Sequence, residues 1–246
     1  MEQSNKVILL AGPTASGKSK LAIKLAKHFN GEVVNADSMQ IYNEISLLTS
    51  KPSSADRKII KHHLYGFCTV KDKFSTGQWL KLATENIKEQ WSKKKTPIVV
   101  GGTGLYFKAL TDGLVKIPDI PNNLRIEIRK LHQKIGQKNF YNQLIKLDNL
   151  AENFVLPTDA QRSMRVYEVK KFTKKSLFEL MKDTKPNFNS KVFKKIFINI
   201  PKDLLLKRIE NRIEKMFKDG VIEEVNLFFK MRVYRELSSN KIIGLR

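Results

Sequence analysis

The sequence is poor in cysteine and in acidic residues, and it has no long apolar run. Its 246 residues include one cysteine, Cys68, so no disulfide can form within the chain. No apolar segment approaches the length that crosses a membrane, and the residues before Val7 lack the basic and apolar regions of a signal peptide. We therefore expect a protein of the reducing cytoplasm that makes no membrane contact.

Acidic residues are scarce relative to basic ones, with 24 Asp and Glu against 46 Lys and Arg, which gives a net charge of +22. A charge of this size favours a polyanionic partner such as a nucleic acid. A lysine-rich composition inherited from a biased genome would explain the same excess of basic residues. The charge therefore supports a polyanionic partner without establishing one. The 41% hydrophobic composition is typical of a globular chain with one large or two small domains.

A glycine-containing loop near the N-terminus is the most specific feature of the chain. It follows the apolar run from Val7 to Ala11, precedes a helical pattern, and comprises Gly12, Pro13, Thr14, Ala15, Ser16, Gly17, Lys18 and Ser19. The glycines let successive backbone N–H groups turn towards a phosphate, Lys18 adds a cation, and Ser19 offers a hydroxyl to Mg²⁺. The loop predicts a bound diphosphate or triphosphate, without deciding whether it belongs to a nucleotide. An ordinary glycine-rich turn is the alternative.

A second predicted strand places a carboxylate on the same edge of the sheet as this loop. The segment from Glu32 to Asp37 is predicted to be a short buried strand, with Asp37 and Ser38 at its carboxyl end. Ligands of open α/β sheets bind at the carboxyl ends of the strands. Asp37 is therefore expected to be a metal ligand or a general base, with a helix N-cap as the alternative.

A third predicted strand, from Pro97 to Val100, ends in Gly101, Gly102 and Thr103. A nucleotide hydrolase would usually carry an acidic residue at this position to hold Mg²⁺ and water, so the glycines argue against a motor or switch ATPase. They also allow the backbone to approach a ligand closely, and Thr103 supplies a hydroxyl. A tight turn alone is the alternative.

Residues 39 to 75 are expected to form a long and mostly polar excursion. It contains His62 and His63, but two adjacent histidines point in different directions, and with Cys68 they make a poor metal site. We expect these histidines to pack against other residues or to contact RNA.

The pattern becomes helical from Leu114 onwards, and residues 114–189 are predicted to form a helical subdomain inserted into the sheet domain. Arg162 and Arg165 fall three residues apart on one face of a predicted helix in this insert. The chain then returns to a strand, which is predicted from Lys194 to Ile200.

A helix predicted from Pro201 to Asp219 carries two arginines, Arg208 and Arg212, spaced four residues apart. This spacing suits side chains that reach back over a bound phosphate, and it suits solvated surface positions equally well. The apolar residues predicted to form the buried stripe of this helix are Leu205, Ile209, Ile213 and Met216.

Taken together and in this order, these stretches resemble one family, the tRNA dimethylallyltransferases, also called tRNA isopentenyltransferases. Besides the phosphate loop, the resemblance rests on Asp37-Ser38-Met39-Gln40-Ile41-Tyr42, Gly101-Gly102-Thr103-Gly104-Leu105-Tyr106-Phe107-Lys108-Ala109-Leu110, Gln161-Arg162-Ser163-Met164-Arg165 and Arg208-Ile209-Glu210-Asn211-Arg212. It spans nearly the whole chain. It implies a P-loop NTPase-like parallel sheet core of residues 1–113 and 190–246, with a helical insert, residues 114–189, that contacts tRNA.

The resemblance also implies a reaction. A dimethylallyl group passes from dimethylallyl diphosphate to the exocyclic amine of the adenosine 3′-adjacent to the anticodon, within the anticodon stem-loop of tRNA. Asp37 takes the proton of that amine, while Thr103, Lys18, Ser19, Mg²⁺ and Arg212 stabilise the departing diphosphate. We expect the enzyme to be a monomer. The residues implied to contact tRNA are Asp37, Ser38, Met39, Gln40, Thr103, Arg125, Gln161, Arg162, Ser163, Met164 and Arg165.

The sequence departs from the family pattern in three places. Residues 47–52 read Leu-Leu-Thr-Ser-Lys-Pro where the family usually has Ile-Gly-Thr-Ala-Lys-Pro, which predicts a reshaped loop, and Leu245 replaces an aromatic residue. The sequence ends at Arg246, whereas family members continue with a basic, RNA-contacting segment. We therefore expect this chain to bind the donor with Mg²⁺ but to prenylate tRNA poorly. The residues then expected to expose apolar surface are Val225, Leu227 and Phe228.

Two other transferase functions remain open. An adenylate prenyltransferase of the cytokinin-forming kind would share the donor site, but it would need neither the net charge nor the inserted helix from Gln161 to Arg165. A small-molecule or nucleotide kinase would share the loop and the arginines, but it would transfer a phosphoryl group from ATP.

Overall fold

The structure is a computed structural model that describes residues 5–234 and 237–245, so Arg246, at which the sequence ends, lies outside the described residues. The chain forms two compact units, one comprising Met1–Thr111 and Asn187–Arg246 and the other Asp112–Pro186. The predicted insert, residues 114–189, differs from the second unit by a few residues at each end. Within the described residues, no helix combines the length and the apolar character needed to span a bilayer.

The first unit is built on a five-stranded sheet within the described part of the chain. Its strands are β1 Val7–Ala11, β2 Gly31–Asn35, β3 His62–His63, β4 Thr96–Gly101 and β5 Phe193–Phe197. They lie in the order β3-β2-β4-β1-β5, and every neighbouring pair runs parallel. This confirms the predicted α/β fold with a parallel sheet. The carboxyl ends of β1, β2 and β4 lie at one edge, where ligands of such sheets bind.

Helices form most of the remaining regular structure. In chain order they are α1 Lys18–His28, α2 Ser54–Ile59, α3 Thr76–Ser92, α4 Gly104–Asp112, α5 Asn122–Leu147, α6 Ala160–Thr173, α7 Leu177–Lys182, α8 Lys202–Lys218 and α9 Val221–Lys230. Capping boxes fix the starts of α2 and α3, because the side chains of Ser53 and Ser75 each accept a backbone N–H three residues further on.

A hydrophobic core joins α1 to the sheet beneath the phosphate loop. Ala22 and Ala26 are buried on the face of α1 that meets the strands, and their small side chains let the helix lie close to the sheet. The sheet and its neighbours contribute Ile8, Leu10, Val33, Tyr65, Ile98 and Val100. This packing holds the N-terminus of α1 at the end of β1.

Residues 39–75 do not form the polar excursion that we predicted. Five apolar residues of this segment are buried together with three from the end of the chain: Ile41, Tyr42, Ile45, Cys68, Val70, Phe228, Ile242 and Leu245. The expected exposure of Phe228 and Val225 is wrong, since Phe228 is 2% exposed and Val225 packs against this cluster. Leu227 is 61% exposed, as expected. The five buried residues of this segment lie outside the helices and strands of the structure, so no extended helix or strand period indicated their burial.

The buried stripe predicted for α8 is also wrong. Along α8, which the structure describes in full, no residue is buried, and Ile213 is 45% exposed. Hydrophobic periodicity identifies the apolar face of a helix, but it does not show whether another element covers that face.

The second unit consists mainly of α5, α6 and α7, with its own core. Gly136 interrupts α5 with φ 75°, a left-handed conformation that glycine tolerates best. The Asp159 side chain accepts the N–H of Arg162 at 2.9 Å and so caps α6. The buried core residues are Ile120, Leu144, Ala151, Val155, Val166, Val169, Leu177 and Phe178.

Candidate active site

The phosphate loop connects the end of β1 to the start of α1. Gly17 has φ 90° and Ala15 has φ 60°, so the loop turns through left-handed backbone conformations. No side chain caps the N-terminus of α1, and its first turn has no acidic residue. The N–H groups at the start of the helix are therefore available to an anion, which the helix dipole also favours there.

Lys18 folds back over the loop that it follows. Its Nζ donates to the C=O of Gly12 at 2.8 Å and to the C=O of Pro13 at 2.7 Å. Burial lowers the pKa of Lys18, the carboxylate of Asp37 opposes that shift, and Arg212 adds to it. Lys18, Asp37 and Arg212 therefore share one electrostatic environment.

Two serines of the loop differ in exposure. Ser16 is 5% exposed, and its Oγ has no hydrogen-bond partner among the described residues, whereas Ser19 is exposed. A phosphate oxygen would supply the missing partner of Ser16. Within the described ranges, no group of three or more His, Cys, Asp or Glu residues could hold a metal ion. If Mg²⁺ binds here, the exposed Ser19 hydroxyl would hold it together with phosphate oxygens of the ligand.

The turn that carries Asp37 is bonded to the turn that follows β4. The N–H of Ser38 donates to Thr103 Oγ1 at 2.9 Å, and the Thr103 hydroxyl donates to Ser38 Oγ at 3.2 Å. The N–H of Thr103 donates to the C=O of Ala36 at 3.1 Å. Gly101 permits this approach, because a Cβ at that position would lie 2.1 Å from the Ala36 carbonyl. Thr103 thus orients the turn beside the phosphate loop.

Asn35 is a residue of this site that the sequence did not bring to notice. It is the last residue of β2 and is fully buried. Its side-chain Oδ1 accepts the N–H of Asp37 at 2.8 Å, and its Nδ2 donates to the C=O groups of Asp37 and Leu64, each at 2.9 Å. The available signal was a side-chain amide in a predicted buried strand, two residues before the candidate base.

One oxygen of the Asp37 carboxylate accepts a backbone hydrogen bond, and the other lies near Gly102. Oδ1 accepts the N–H of Met39 at 2.9 Å. Oδ2 lies 4.0 Å from the position that a Cβ would take on Gly102, which is itself exposed. A side chain at position 102 would therefore begin in van der Waals contact with Oδ2, and glycine avoids this contact.

The two arginines of α8 lie near the phosphate loop and Asp37. Arg208 Nη1 donates to the C=O of Ser16 at 3.5 Å. Arg212 is half-buried, and burial lowers its pKa while the Asp37 carboxylate opposes that shift. The structure therefore places the loop, Asp37, Thr103 and both arginines near one another, whereas the sequence had left the arginines open between phosphate contact and a solvated surface.

Met39 and Gln40, two predicted tRNA contacts of this unit, are half-buried. The Gln40 side-chain amide donates to the C=O of Thr49 at 2.8 Å and to the C=O of Ser50 at 3.2 Å. The loop of residues 46–51 thus fixes the direction of the Gln40 side chain.

The other predicted tRNA contacts lie in the second unit. Gln161 and Arg162 are exposed at the start of α6. Ser163 is fully buried, its hydroxyl donates to the C=O of Asp159 at 2.7 Å, and Gln137 Nε2 donates to it at 3.2 Å. The Ser163 side chain therefore packs within the unit and is unavailable for the predicted tRNA contact.

Three further residues of that prediction are half-buried in the second unit: Arg125, Met164 and Arg165. Arg165 Nη1 lies 3.3 Å from Glu168 Oε2, and the Glu168 side chain is 8% exposed. The Nε of Arg125 is buried and has no hydrogen-bond partner in the described part of the chain. Of the three arginines in this prediction, Arg162 alone is exposed.

Comparison with known proteins identifies the family to which this site belongs. The IPP transferase family profile matches residues 40–246, and the isopentenyl transferase profile matches residues 5–67. A tRNA dimethylallyltransferase of Pelagibacter ubique (strain HTCC1062) is 46% identical over 245 residues, which are 100% of this chain and 78% of the relative. The chain belongs to the tRNA dimethylallyltransferase family. Membership confirms the predicted enzyme class, a prenyltransferase.

Other members of the family agree with this assignment. A tRNA dimethylallyltransferase of Rickettsia massiliae (strain Mtu5) is 42% identical over 248 residues, covering 99% of this chain and 68% of the relative. The solved structure of a full-length tRNA isopentenylpyrophosphate transferase of Bacillus halodurans has a TM-score of 0.65 and 29% identity, covering 98% of this chain and 75% of that one. The solved structure of a eukaryotic dimethylallyltransferase acting on tRNA has a TM-score of 0.80 and 27% identity. The match covers 97% of this chain and 59% of that one. The predicted fold is that of the family.

Proposed function

We propose that this protein transfers the dimethylallyl group of dimethylallyl diphosphate to the exocyclic amine of the adenosine 3′-adjacent to the anticodon in tRNA. The observation that carries the proposal is the placement of a carboxylate, Asp37, just after β2, at the same end of the parallel sheet as the phosphate loop that follows β1. A phosphate site alone serves many reactions. A carboxylate beside it supplies the base that an amine acceptor needs, and the relatives are tRNA dimethylallyltransferases.

The donor side of the proposed reaction uses the loop between β1 and α1. The uncapped N–H groups of α1, the Lys18 cation and the unpartnered Ser16 hydroxyl are suited to the diphosphate. Arg208 and Arg212 add positive charge where the leaving group gains negative charge. We propose Mg²⁺ as the cofactor, held by Ser19 and by the diphosphate; when bound, it neutralises charge on the leaving group.

The acceptor side of the proposed reaction uses Asp37. A bond forms between the exocyclic nitrogen and the first carbon of the dimethylallyl group, and the bond from that carbon to the diphosphate oxygen breaks. An aryl amine is a weak nucleophile, so a base within hydrogen-bond reach assists it. Asp37 Oδ2, the oxygen beside Gly102, receives the proton that the nitrogen loses.

The tRNA is proposed to contact two parts of the chain. In the first unit these are the turn from Asp37 to Gln40 and Thr103; in the second unit they are Arg125, Gln161, Arg162, Met164 and Arg165. The adenine has to leave its stack before its amine can approach a carboxylate. We also propose that the enzyme acts in the cytoplasm as a monomer that recognises the anticodon stem-loop.

One set of incubations tests the proposal. The protein is mixed with Mg²⁺, labelled dimethylallyl diphosphate and bulk tRNA, and the tRNA is digested to nucleosides for mass spectrometry. We expect dimethylallyl-adenosine, and a Lys18→Ala variant should fail to bind the donor. Parallel reactions use AMP as the acceptor, or labelled ATP as the donor. Label in AMP but not in tRNA would indicate an adenylate prenyltransferase, and phosphoryl transfer from ATP would indicate a kinase.

A further inference from the structure

A carboxylate on α9 accepts hydrogen bonds from three consecutive backbone amides of a distant loop. Glu224 Oε2 accepts the N–H of Ser46 at 2.6 Å and the N–H of Leu47 at 2.9 Å. Its Oε1 accepts the N–H of Leu48 at 2.9 Å. Hydrogen bonds to an ionised carboxylate are stronger than those between neutral groups, so this contact is both strong and directional.

The loop that Glu224 binds, residues 46–51, overlaps residues 47–52, one of the places where this sequence departs from the family pattern. The N–H of Ser50 donates to the C=O of Leu47 at 2.9 Å, and the N–H of Lys51 donates to the C=O of Ser46 at 3.1 Å. In such a tight turn the first N–H groups point in a common direction and lack acceptors within the turn, as at the start of a helix. Glu224 supplies the acceptor from another element.

The same loop holds the side chain of Gln40. Gln40 Nε2 donates to the C=O of Thr49 at 2.8 Å and to the C=O of Ser50 at 3.2 Å, and the N–H of Gln40 donates to the C=O of Asp37 at 3.3 Å. Two successive sets of hydrogen bonds therefore connect Glu224 with the turn that begins at the candidate base.

Packing against a shared hydrophobic cluster holds α9, which carries Glu224, in a fixed position relative to the loop. Phe228, one turn further along α9, is 2% exposed, and Val225 and Leu48 pack against the same hydrophobic cluster. Because the helix and the loop share this core, the carboxylate is not a mobile surface group that meets the loop by chance.

We propose that Glu224 is a positioning residue for the acceptor side of the active site, which orders the loop of residues 46–51 and through it fixes Gln40 for contact with tRNA. This inference rests on the proposed function. A residue that served stability alone would affect the use of donor and acceptor alike. A positioning residue for Gln40 affects the acceptor selectively.

The test compares Glu224→Gln with the unchanged protein in the presence of Mg²⁺. Glutamine places an N–H₂ group against one or two backbone N–H groups, so at least one hydrogen bond is lost. We expect the KM for tRNA to rise by about tenfold, which corresponds to about 1.4 kcal/mol. The Kd for dimethylallyl diphosphate, measured by calorimetry, should change by less than about twofold. This is a much smaller free-energy change than the one expected for tRNA.

The matched control is Glu223→Gln, which makes the same change of charge at the neighbouring, exposed position of α9. We expect it to retain the KM of the unchanged protein for tRNA. Glu224→Asp keeps the charge but withdraws the carboxylate by one methylene, so it should resemble Glu224→Gln. The thermal midpoint of each variant shows that the folded protein is being compared.

A double-mutant cycle tests the route through Gln40. If Glu224 acts through this side chain, Glu224→Gln should cost much less in a Gln40→Ala background than in the unchanged protein. Full additivity of the two changes would show that Glu224 does not act through Gln40 and would overturn the inference.

Hydrogen exchange separates failure of this inference from failure of the proposed function. Exchange at the amides of Leu47 and Leu48 should speed up in Glu224→Gln and not in Glu223→Gln, whatever the substrate. If the unchanged protein modifies tRNA and Glu224→Gln has the same KM for tRNA, the positioning role is wrong while the function stands. If the unchanged protein modifies no tRNA, the proposed function and this role both fail.

Discussion

The backbone and the carboxylate of Asp37 have separate partners. Asn35 binds both the N–H and the C=O of Asp37, while Met39 supplies the N–H that one carboxylate oxygen accepts. Thr103 binds the adjacent residue, Ser38. These contacts orient the proposed base before the substrate binds, so it would need little rearrangement during the reaction.

Substitution of Asp37, the proposed base, gives the most direct prediction. Asp37→Asn retains shape and hydrogen bonding but loses basicity, so we expect turnover to fall by roughly a hundredfold or more. Binding of dimethylallyl diphosphate should be nearly intact, because the phosphate loop is unchanged. Single-turnover kinetics with saturating donor and tRNA measure the effect. Turnover equal to that of the unchanged protein would exclude Asp37 as the base.

The amide that holds Asp37 gives a second prediction. Asn35→Ala leaves the N–H and C=O of Asp37 and the C=O of Leu64 without this partner, and each unsatisfied buried group costs about 1–3 kcal/mol of stability. We expect kcat to fall by at least about tenfold, or about 1.4 kcal/mol, with the donor Kd retained. Urea unfolding and steady-state kinetics measure the two effects.

Gln90 provides a matched control for Asn35. It is another buried side-chain amide of the first unit, 2% exposed, but neither its Nε2 nor its Oε1 has a hydrogen-bond partner among the described residues. Gln90→Leu removes two unpaired polar atoms and should leave kcat unchanged and stability equal or higher. Equal losses of kcat in the two variants would show that burial, and not the contact with Asp37, explains the effect of Asn35.

At the scale of secondary-structure elements, one buried glutamate connects three neighbouring parts of the sheet. Glu32 of β2 accepts hydrogen bonds from His63 of β3, at 2.6 Å from Nε2, and from Lys95, which precedes β4. Its side chain is 9% exposed. Burial would raise the pKa of Glu32, but hydrogen bonds and charges from Lys95 and His63 outweigh burial and hold that pKa below its ordinary value.

The lowered pKa of Glu32 predicts an acid-dependent loss of stability. Because the folded state depresses this pKa, its contribution is fully present above the ordinary value of 4.5 and is lost as the pH falls through the folded-state pKa. Glu32→Gln should lower the free energy of unfolding at pH 7 by about 1.5–3 kcal/mol. It should also flatten the dependence on pH below 4.5. Urea unfolding at a series of pH values measures both effects.

The exposed pair of Glu89 and Lys93 on α3 serves as the control. Glu89→Gln removes a solvent-screened ion pair between residues four positions apart and should change stability little. If Glu32→Gln were no more destabilising than Glu89→Gln, the contacts of Glu32 with β3 and Lys95 would contribute nothing measurable.

Two arginines on α6 should behave differently. Arg162 is exposed, whereas Arg165 pairs with the buried carboxylate of Glu168. Arg162→Ala should weaken tRNA binding and reduce the salt dependence of log K by about one charge, without loss of stability. Arg165→Ala should in addition destabilise the protein, because Glu168 loses its partner. Titrations of tRNA at several salt concentrations, together with thermal unfolding, test both predictions. If Arg162→Ala and the unchanged protein had the same salt dependence, Arg162 would be an ordinary surface residue that does not contact tRNA.

At the scale of the whole molecule, positive charge is not confined to the helical unit. Residues 112–186 carry 15 Lys and Arg residues and 9 Asp and Glu residues. The rest of the chain carries 31 Lys and Arg residues and 15 Asp and Glu residues. Both parts of the chain are therefore basic. An electrostatic contribution to tRNA binding should be spread over many side chains, with no single lysine dominating it.

This distribution predicts a steep dependence of tRNA affinity on salt. A complex that neutralises about six phosphates loses roughly a thousandfold in affinity between about 50 and 200 mM salt. Filter binding of tRNA over this range, with donor binding as the reference, measures the slope. A flat response would mean that the excess of lysine reflects genome composition and takes no part in binding.

The sequence by itself determined the local chemistry of this protein. The strand, the glycines and Lys18 of the phosphate loop are contiguous, so their fold and their proposed role follow from short-range spacing. Asp37 and Thr103 were found because each follows a predicted strand, and parallel strands present their carboxyl ends at one edge. The family resemblance then indicated that the phosphate loop, Asp37 and Thr103 belong to one site.

Only the tertiary structure decided which residues contact this site and which residues are buried around it. Which elements meet decides the contact of Asn35 with Asp37, the burial of Ser163, the incomplete burial of α8 and the binding of the loop of residues 46–51 by Glu224. Partners such as Glu224 and Ser46 are 178 positions apart, and nothing in the spacing of either segment encodes the other. Local patterns report the face and the period of an element, whereas burial and hydrogen-bond partners are properties of the packed chain.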